Sequence, residues 1–253
     1  MLLKDYYSAE YAQRLAVRIA EACPELDREG FAACASAGLE GRRYSERLDA
    51  FVRAFELYLP PYAETLGIFG RILGPELSSF AVMYSEGAWL APVGRYVETL
   101  CAGEPDSYEQ SVSFIRELTG RYTGEFAMRP LIAAFPERTM AVLLGWSLDK
   151  SAYVRRCASE CMRVSLPWAK RLTAAVEHFD AYSAVLDNLR RDEDPYVRRS
   201  VGNNLNDLYK YDAQKAQSIV DRWQAEGPAK ETREIILRGT RTLRRRQRSS
   251  AGR

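Results

Sequence analysis

Histidine is nearly missing from this chain of 253 residues, His178 being the only one. Cysteine is sparse and odd in number, as Cys23, Cys34, Cys101, Cys157 and Cys161, and no CxxC pair occurs. A disulfide framework is therefore not expected, and reduced thiols are. A tetrahedral zinc site needs about four ligands, so no metal and no cofactor are expected either. Cys157 and Cys161, one helical turn apart, read as small core residues. Period-two alternation of β-branched and aromatic residues between turn dipeptides is close to absent, which argues against strands. No apolar run approaches the roughly eighteen residues of a membrane span. The opening MLLKDYYSAEYAQRL carries charge early and lacks an apolar h-region, so no secretory leader is expected and the cytoplasm is the expected location. An excess of one charge is lacking too: 36 Lys and Arg against 34 Asp and Glu give a net charge of +2. Any nucleic-acid reading must rest on where the arginines stand, not on their sum.

What the chain does have is one helical pattern after another. From Ser8 to Cys23 the apolar residues Ala12, Leu15, Ala16, Ile19 and Cys23 recur at helical spacing, with Ser8 as the N-cap and Pro24 as the stop. Helices are predicted for Asp27 to Leu39, from Tyr44 to the Pro60-Pro61 stop, for Pro61 to Leu73, Trp89 to Cys101, Tyr108 to Tyr122, Glu125 to Phe135 and Glu137 to Leu148. Further helices are predicted from Tyr153, over Trp168 to His178, over Tyr182 to Arg190, from Tyr196, over Asp212 to Ala225 and over Thr232 to Arg246. Residues 1–246 read as a single domain and 247–253 as a disordered basic tail.

Two of these helices are copies of each other. YVRRCASECMR at Tyr153 to Arg163 returns as YVRRSVGNNLND at Tyr196 to Asp207, forty-three residues on, and the same register aligns Asp149 with Asp192. That period falls in the range of HEAT-type helix pairs, so the expected fold is all-α, a curved α-solenoid of HEAT-like helical repeats. In the second copy Val197, Val201, Leu205 and Leu208 form a packing stripe, with Arg199, Asn203 and Asp207 opposite. In the first copy Val154, Ala158 and Met162 pack, while Arg156 and Glu160 stand one turn apart on the other face.

Three blocks carry a resemblance: TGEFAMRPL at Thr123 to Leu131, YVRRCASECMRVSLPWAKRL at Tyr153 to Leu172, and SVGNNLNDLYK at Ser200 to Lys210. Together they resemble the AlkC branch of the HEAT-like-repeat DNA alkylpurine glycosylases. The resemblance implies a helical solenoid that cradles double-stranded DNA and excises cationic N3-methylated bases, chiefly 3-methyladenine and also 3-methylcytosine. It implies a monomer in the bacterial cytoplasm at the nucleoid, with no membrane partner. Carried over position by position, the family's acids fall on Glu125, Glu160 and Asp207, its DNA-penetrating arginine on Arg156 and its site aromatic on Trp168. The sequence departs from the family pattern at Cys161, Val164-Ser165 and Gly202. At this length the immunoglobulin-like domain that some relatives append is not expected.

The chemistry asks for these residue types. A base methylated at N3 is positively charged and leaves neutral, so no general acid is required to protonate it. The difficult species is the sugar oxocarbenium, which a nearby carboxylate stabilises while it orients or deprotonates water. Glu125 and Asp207 are the expected pair, with Glu160 as a third acid or as the partner of Arg156. Trp168 can stack on the cationic base, and Arg156 can enter the duplex as the base is extruded. Arg155, Lys170, Arg198 and Arg199 are the expected phosphate contacts. Each residue also has a plainer use. Glu160 and Arg156 can be a solvated pair, Glu125 a helix-opening acid, Trp168 a core aromatic, and the arginines a solvated face. Trp89, Trp146 and Trp223 read as packing residues. No activated lysine stands out, so a monofunctional hydrolase is expected. A non-catalytic DNA-binding protein and a helical scaffold for protein partners stay open beside it.

Overall fold

In a computed structural model, which describes residues 3–251, every regular element is helical. The helices form two compact units that meet at Pro130–Leu131, where a single domain over 1–246 is the expectation. The dividing point lies inside a helix at Pro130, a residue that removes one backbone donor from the ladder.

The first unit holds α1 (Ala9–Ala20), α2 (Arg28–Ser36), α3 (Tyr44–Tyr58), α4 (Tyr62–Ile72), the short α5 (Met83–Glu86), α6 (Ala91–Leu100), α7 (Tyr108–Thr119) and the start of α8 (Glu125–Ala134). Ser8 caps α1 as expected, its hydroxyl accepting from the Tyr11 N–H at 3.3 Å, and Asp27 caps α2 through the Gly30 N–H at 3.0 Å. The face of α1 that the periodicity selects, Ala12, Leu15, Ala16 and Ile19, is buried. The core is aromatic: Phe55 meets Phe69 edge to face at 5.0 Å, and Tyr62 stacks on Tyr96 at 5.7 Å.

The second unit continues with α9 (Pro136–Trp146), α10 (Ala152–Glu160), the one-turn α11 (Ala174–Glu177), α12 (Phe179–Leu189), α13 (Pro195–Tyr211), α14 (Ala213–Ala225), α15 (Lys230–Gly239) and α16 (Arg241–Ala251). α9 packs on α10 and α12, α10 on α13, and α13 on α14 and α15. Both packing stripes of the repeat are buried, Val154, Ala158 and Met162 in one copy and Val197, Val201, Leu205 and Leu208 in the other. Cys157 and Cys161 are core residues, as read.

Three expectations are corrected here. Residues 168–178 are not one helix: Trp168 sits at φ +63°, and only Ala174–Glu177 is helical. The cause is tertiary, because Leu166 and Leu172 are both buried and the Leu172 N–H donates back to the Val164 carbonyl at 3.1 Å, closing a loop. The predicted helix over 232–246 is two helices, broken at Thr240 where Gly239 presses against Leu205. The tail read as disordered over 247–253 is helical as far as Ala251, in keeping with the helix propensity of arginine and glutamine, and residues 252–253 lie outside the described residues.

Candidate active site and nucleic-acid interface

The repeat explains two of the arginines. Arg155 Nη1 donates to the carbonyls of Asp149 and Lys150, both at 3.0 Å, and Nε and Nη2 bond Asp192 at 2.6 and 3.1 Å. One repeat later Arg198 Nη1 donates to the carbonyls of Asp192 and Glu193 at 2.9 and 2.7 Å, and its Nε bonds Glu234 at 3.2 Å. The aspartates correspond as well. Asp149 accepts from the Ser151 N–H at 2.8 Å and Asp192 from the Asp194 N–H at 2.9 Å. Arg155 and Arg198, expected at phosphates, are thus engaged inside the repeat, each tying the entry of its helix to the carbonyls before it and to the next repeat.

The acids of α10 and α13 are brought together. Arg163, three residues past Glu160, donates Nη1 to Glu160 Oε1 at 2.6 Å and Nε to Asp207 Oδ2 at 2.9 Å. All three residues are buried. Glu160 is therefore not the solvated partner of Arg156. Lys210 Nζ stands 3.8 Å from the other Asp207 oxygen, Oδ1. Burial pushes the Glu160 carboxyl upward, but the charges of Arg156 and Arg163, with a hydrogen bond from Ser200, outweigh it and hold the group below the usual carboxylate value. For Arg163 burial opposes the charge, and the two carboxylates raise its pKa above the ordinary arginine value.

A polar layer fixes this cluster from behind. Asn204 Nδ2 donates to the Ser159 carbonyl at 2.7 Å, its Oδ1 accepts from the Tyr182 hydroxyl, and Ser200 Oγ lies 3.0 Å from Ser159 Oγ. Tyr182 is held protonated by burial and then by the charge of Asp207, against which Arg163 works. Sequence reading missed Arg163. The available signal was its i+3 spacing from Glu160, but the bond to Asp207 spans two repeats and leaves no local trace.

Trp168 does the opposite of packing: its side chain is 94% exposed on the loop after α10. Lys170 is exposed on the same loop, and Arg171 lies over the Tyr211 ring at 4.9 Å. Arg199 is exposed beside the Tyr196 ring, also at 4.9 Å. With Arg198, Arg238, Arg241 and Arg244 it lines a groove of about 520 Å³ between α13 and the last two helices. Burial first, then the neighbouring Arg238 charge, lowers the pKa of Arg241. Arg156 is half-buried on α10.

Glu125 opens α8 in the first unit and is buried. Gly124 before it allows no side chain, since a Cβ there would lie 2.9 Å from Ile115 Cγ2 and 3.0 Å from the Ile115 carbonyl. The start of α8 is thereby pressed onto α7. Among the described residues no group of three or more His, Cys, Asp or Glu is placed to hold a metal ion, and no helix is long and apolar enough to cross a membrane.

These helix pairs are repeats of the HEAT-like kind. Residues 124–238 match the sequence model of the DNA alkylation repair enzyme family, a span that takes in Glu125 and the whole Glu160, Arg163 and Asp207 cluster. The structure is similar to that of Pseudomonas fluorescens alkylpurine DNA glycosylase AlkC bound to DNA containing an abasic site analog, with a TM-score of 0.82 and 30% identity, covering 96% of this chain and 64% of that one. A Bacillus subtilis (strain 168) protein, the uncharacterized YhaZ, is 38% identical over 136 residues, which are 54% of this chain and 38% of that protein. The chain thus spans less than two thirds of the length of either relative. The resemblance read from the three sequence blocks is borne out.

Proposed function

We propose that this protein is a DNA glycosylase that hydrolyses the N-glycosidic bond of cationic N3-alkylated bases in double-stranded DNA, chiefly 3-methyladenine and also 3-methylcytosine. The observation that carries this reading is the buried pair Glu160 and Asp207, drawn from successive repeats onto one guanidinium within the family-matched segment. The similar AlkC structure, bound to DNA with an abasic site analog, supports the same class.

In this reading the base leaves with the electron pair of the glycosidic bond, which cancels its ring charge. The sugar is left as an oxocarbenium ion. Carboxylates are the right groups for what remains: they stabilise that cation, orient a water toward the anomeric carbon and take its proton. Glu125 and Asp207 are assigned to charge stabilisation and water, Glu160 to the third acidic position, and Arg156 to the space vacated by the extruded base. Trp168 is assigned to stacking on the cationic ring, which its exposure favours. Phosphates are assigned to Lys170 and Arg199, with Arg238 and Arg241 of the same groove added; Arg155 and Arg198 serve chiefly as repeat clamps. No metal, cofactor or Schiff base is invoked, and the protein is proposed to act as a monomer at the nucleoid.

The decisive experiment is release of free base from alkylated duplex DNA by wild type, Glu125→Gln and Asp207→Asn. Wild type is expected to free 3-methyladenine, and each variant to be slower by about 10²–10³-fold, the scale of losing one preorganised electrostatic group. A wild type that binds duplex DNA and frees no base refutes the enzyme. One observation favours that second reading, a DNA-binding protein without chemistry: Arg163 offsets part of the negative charge on which the oxocarbenium would depend.

A further inference from the structure

Arg163 contacts both Glu160 and Asp207, and its bond to Asp207 has no local signature in the sequence. A guanidinium presents donors in a rigid fork, so two carboxylates bonded through different nitrogens are fixed in distance and in plane. Here Nη1 holds Glu160 at 2.6 Å and Nε holds Asp207 at 2.9 Å, with all three side chains buried. Ion triads of this kind are not favoured for stability alone, since apolar side chains of similar volume often serve a core as well. The arrangement therefore points to what the acids must do.

We propose that Arg163 is the positioning residue of the acid pair: bonding Glu160 and Asp207 at once, it holds both carboxylates in one buried geometry and occupies Asp207 Oδ2, so that Oδ1 is the oxygen that meets water. This deepens the glycosylase reading and rests on it for the catalytic consequence.

Two buried carboxylates at one site otherwise share a proton, the second ionising only at raised pH. The other groups acting on this pair are Arg156 on α10, Lys210 on α13 and the Tyr182 hydroxyl on α12, with Arg241 on α16 and its neighbour Arg238 on α15. Among these cations, Arg163 bonds both carboxylates directly.

The test uses the full chain as wild type, Arg163→Gln and Arg163→Lys. Carboxyl carbons of labelled Asp and Glu are titrated by NMR, with Glu160→Gln and Asp207→Asn assigning the signals. Base release from duplex DNA containing 3-methyladenine is followed from pH 6 to 8, and affinity for undamaged duplex is measured alongside. In Arg163→Gln the Glu160 carboxyl is expected to titrate about two units or more higher, making base release at pH 6 severalfold slower than at pH 8, where wild type is flat. Arg163→Lys is expected to restore most of the flat profile, and undamaged-DNA affinity to stay unchanged. Carboxyls that titrate as in wild type, or a loss equal at every pH and not rescued by lysine, overturn the proposal. If the glutamine variant does not fold, the lysine variant decides: its single nitrogen should leave a smaller upward step, and no step overturns it. If wild type frees no base, the glycosylase reading has failed, while the titration still decides the role of Arg163.

Discussion

Arg155 and Arg198 stand forty-three residues apart and do the same thing, each guanidinium donating to the carbonyls five and six residues behind it and to an acid in the next repeat. Their acids differ. The Asp192 side chain is 4% exposed and that of Glu234 is 48% exposed. Arg155→Ala strands a buried carboxylate and is expected to cost about 3 kcal/mol. Arg198→Ala leaves a solvated one and is expected to cost about 1 kcal/mol, mostly from lost bonds to carbonyls. Urea unfolding midpoints of the two variants check the order. Equal midpoints would contradict it.

Trp168→Ala should leave stability unchanged, because the indole touches almost nothing. Trp168→Gly should raise it slightly, since a left-handed residue other than glycine is strained by roughly 1–2 kcal/mol. Base release by either variant is expected to fall about 2- to 30-fold, corresponding to a lost cation–π contact of ~0.5–2 kcal/mol. Thermal melts and single-turnover kinetics on the same preparations separate the two effects.

Gly239→Ala is the more damaging of two glycine changes on α13's contact with α15. Its Cβ would lie 2.5 Å from Leu205 Cδ2 and 2.8 Å from Cγ, inside a buried layer. Overpacking of this kind costs about 1–3 kcal/mol. At Gly202 the added Cβ meets Arg238 Cγ and Cδ at 2.8 Å, which can swing aside, and Arg238 Cβ at 2.9 Å, which cannot, so Gly202→Ala should also cost stability, but less than Gly239→Ala because its gain in helix propensity offsets part of the shift. A lower melting temperature for Gly202→Ala than for Gly239→Ala would contradict this packing argument.

Acid stability should report on Glu160. Its folded carboxyl titrates below the ordinary 4.5, so it stabilises the fold above the unfolded value, and that contribution is lost as pH falls through the lower, folded value. Wild type is expected to lose stability steeply below about pH 4.5, and Glu160→Gln, less stable at neutral pH, to show a flatter decline. Urea midpoints between pH 3 and 6 measure both slopes.

How much was legible in the sequence depends on how local the cause was. Ser8, Asp27 and the α1 stripe obey rules acting within four residues, and the structure follows them. The forty-three-residue copy announced the repeat, yet the same YVRR echo invited a phosphate reading for Arg155 and Arg198, whose partners lie in turns and in the next repeat. Pro167-Trp168 looks like a helix start, and only the burial of Leu166 and Leu172 on either side turns that stretch into a loop. Arg163 could not be singled out, since a polar residue beside a buried stripe declares itself only when its partner forty-four positions away is seen. Periodicity placed Glu160 and Asp207 on polar faces, but their roles, and Trp168 and Glu125 altogether, came from the family blocks.

The loop that pushes Trp168 outward also supplies an optical signal. Of the four tryptophans, Trp146 and Trp223 are buried, and Trp89 lies under the Arg18 guanidinium at 3.9 Å. Trp168 is the indole in full contact with water, so it emits to the red of the others and is the one reached first by iodide. Stacking on a base would quench it, and the quenching can be followed in real time without any dye attached to the protein or the DNA.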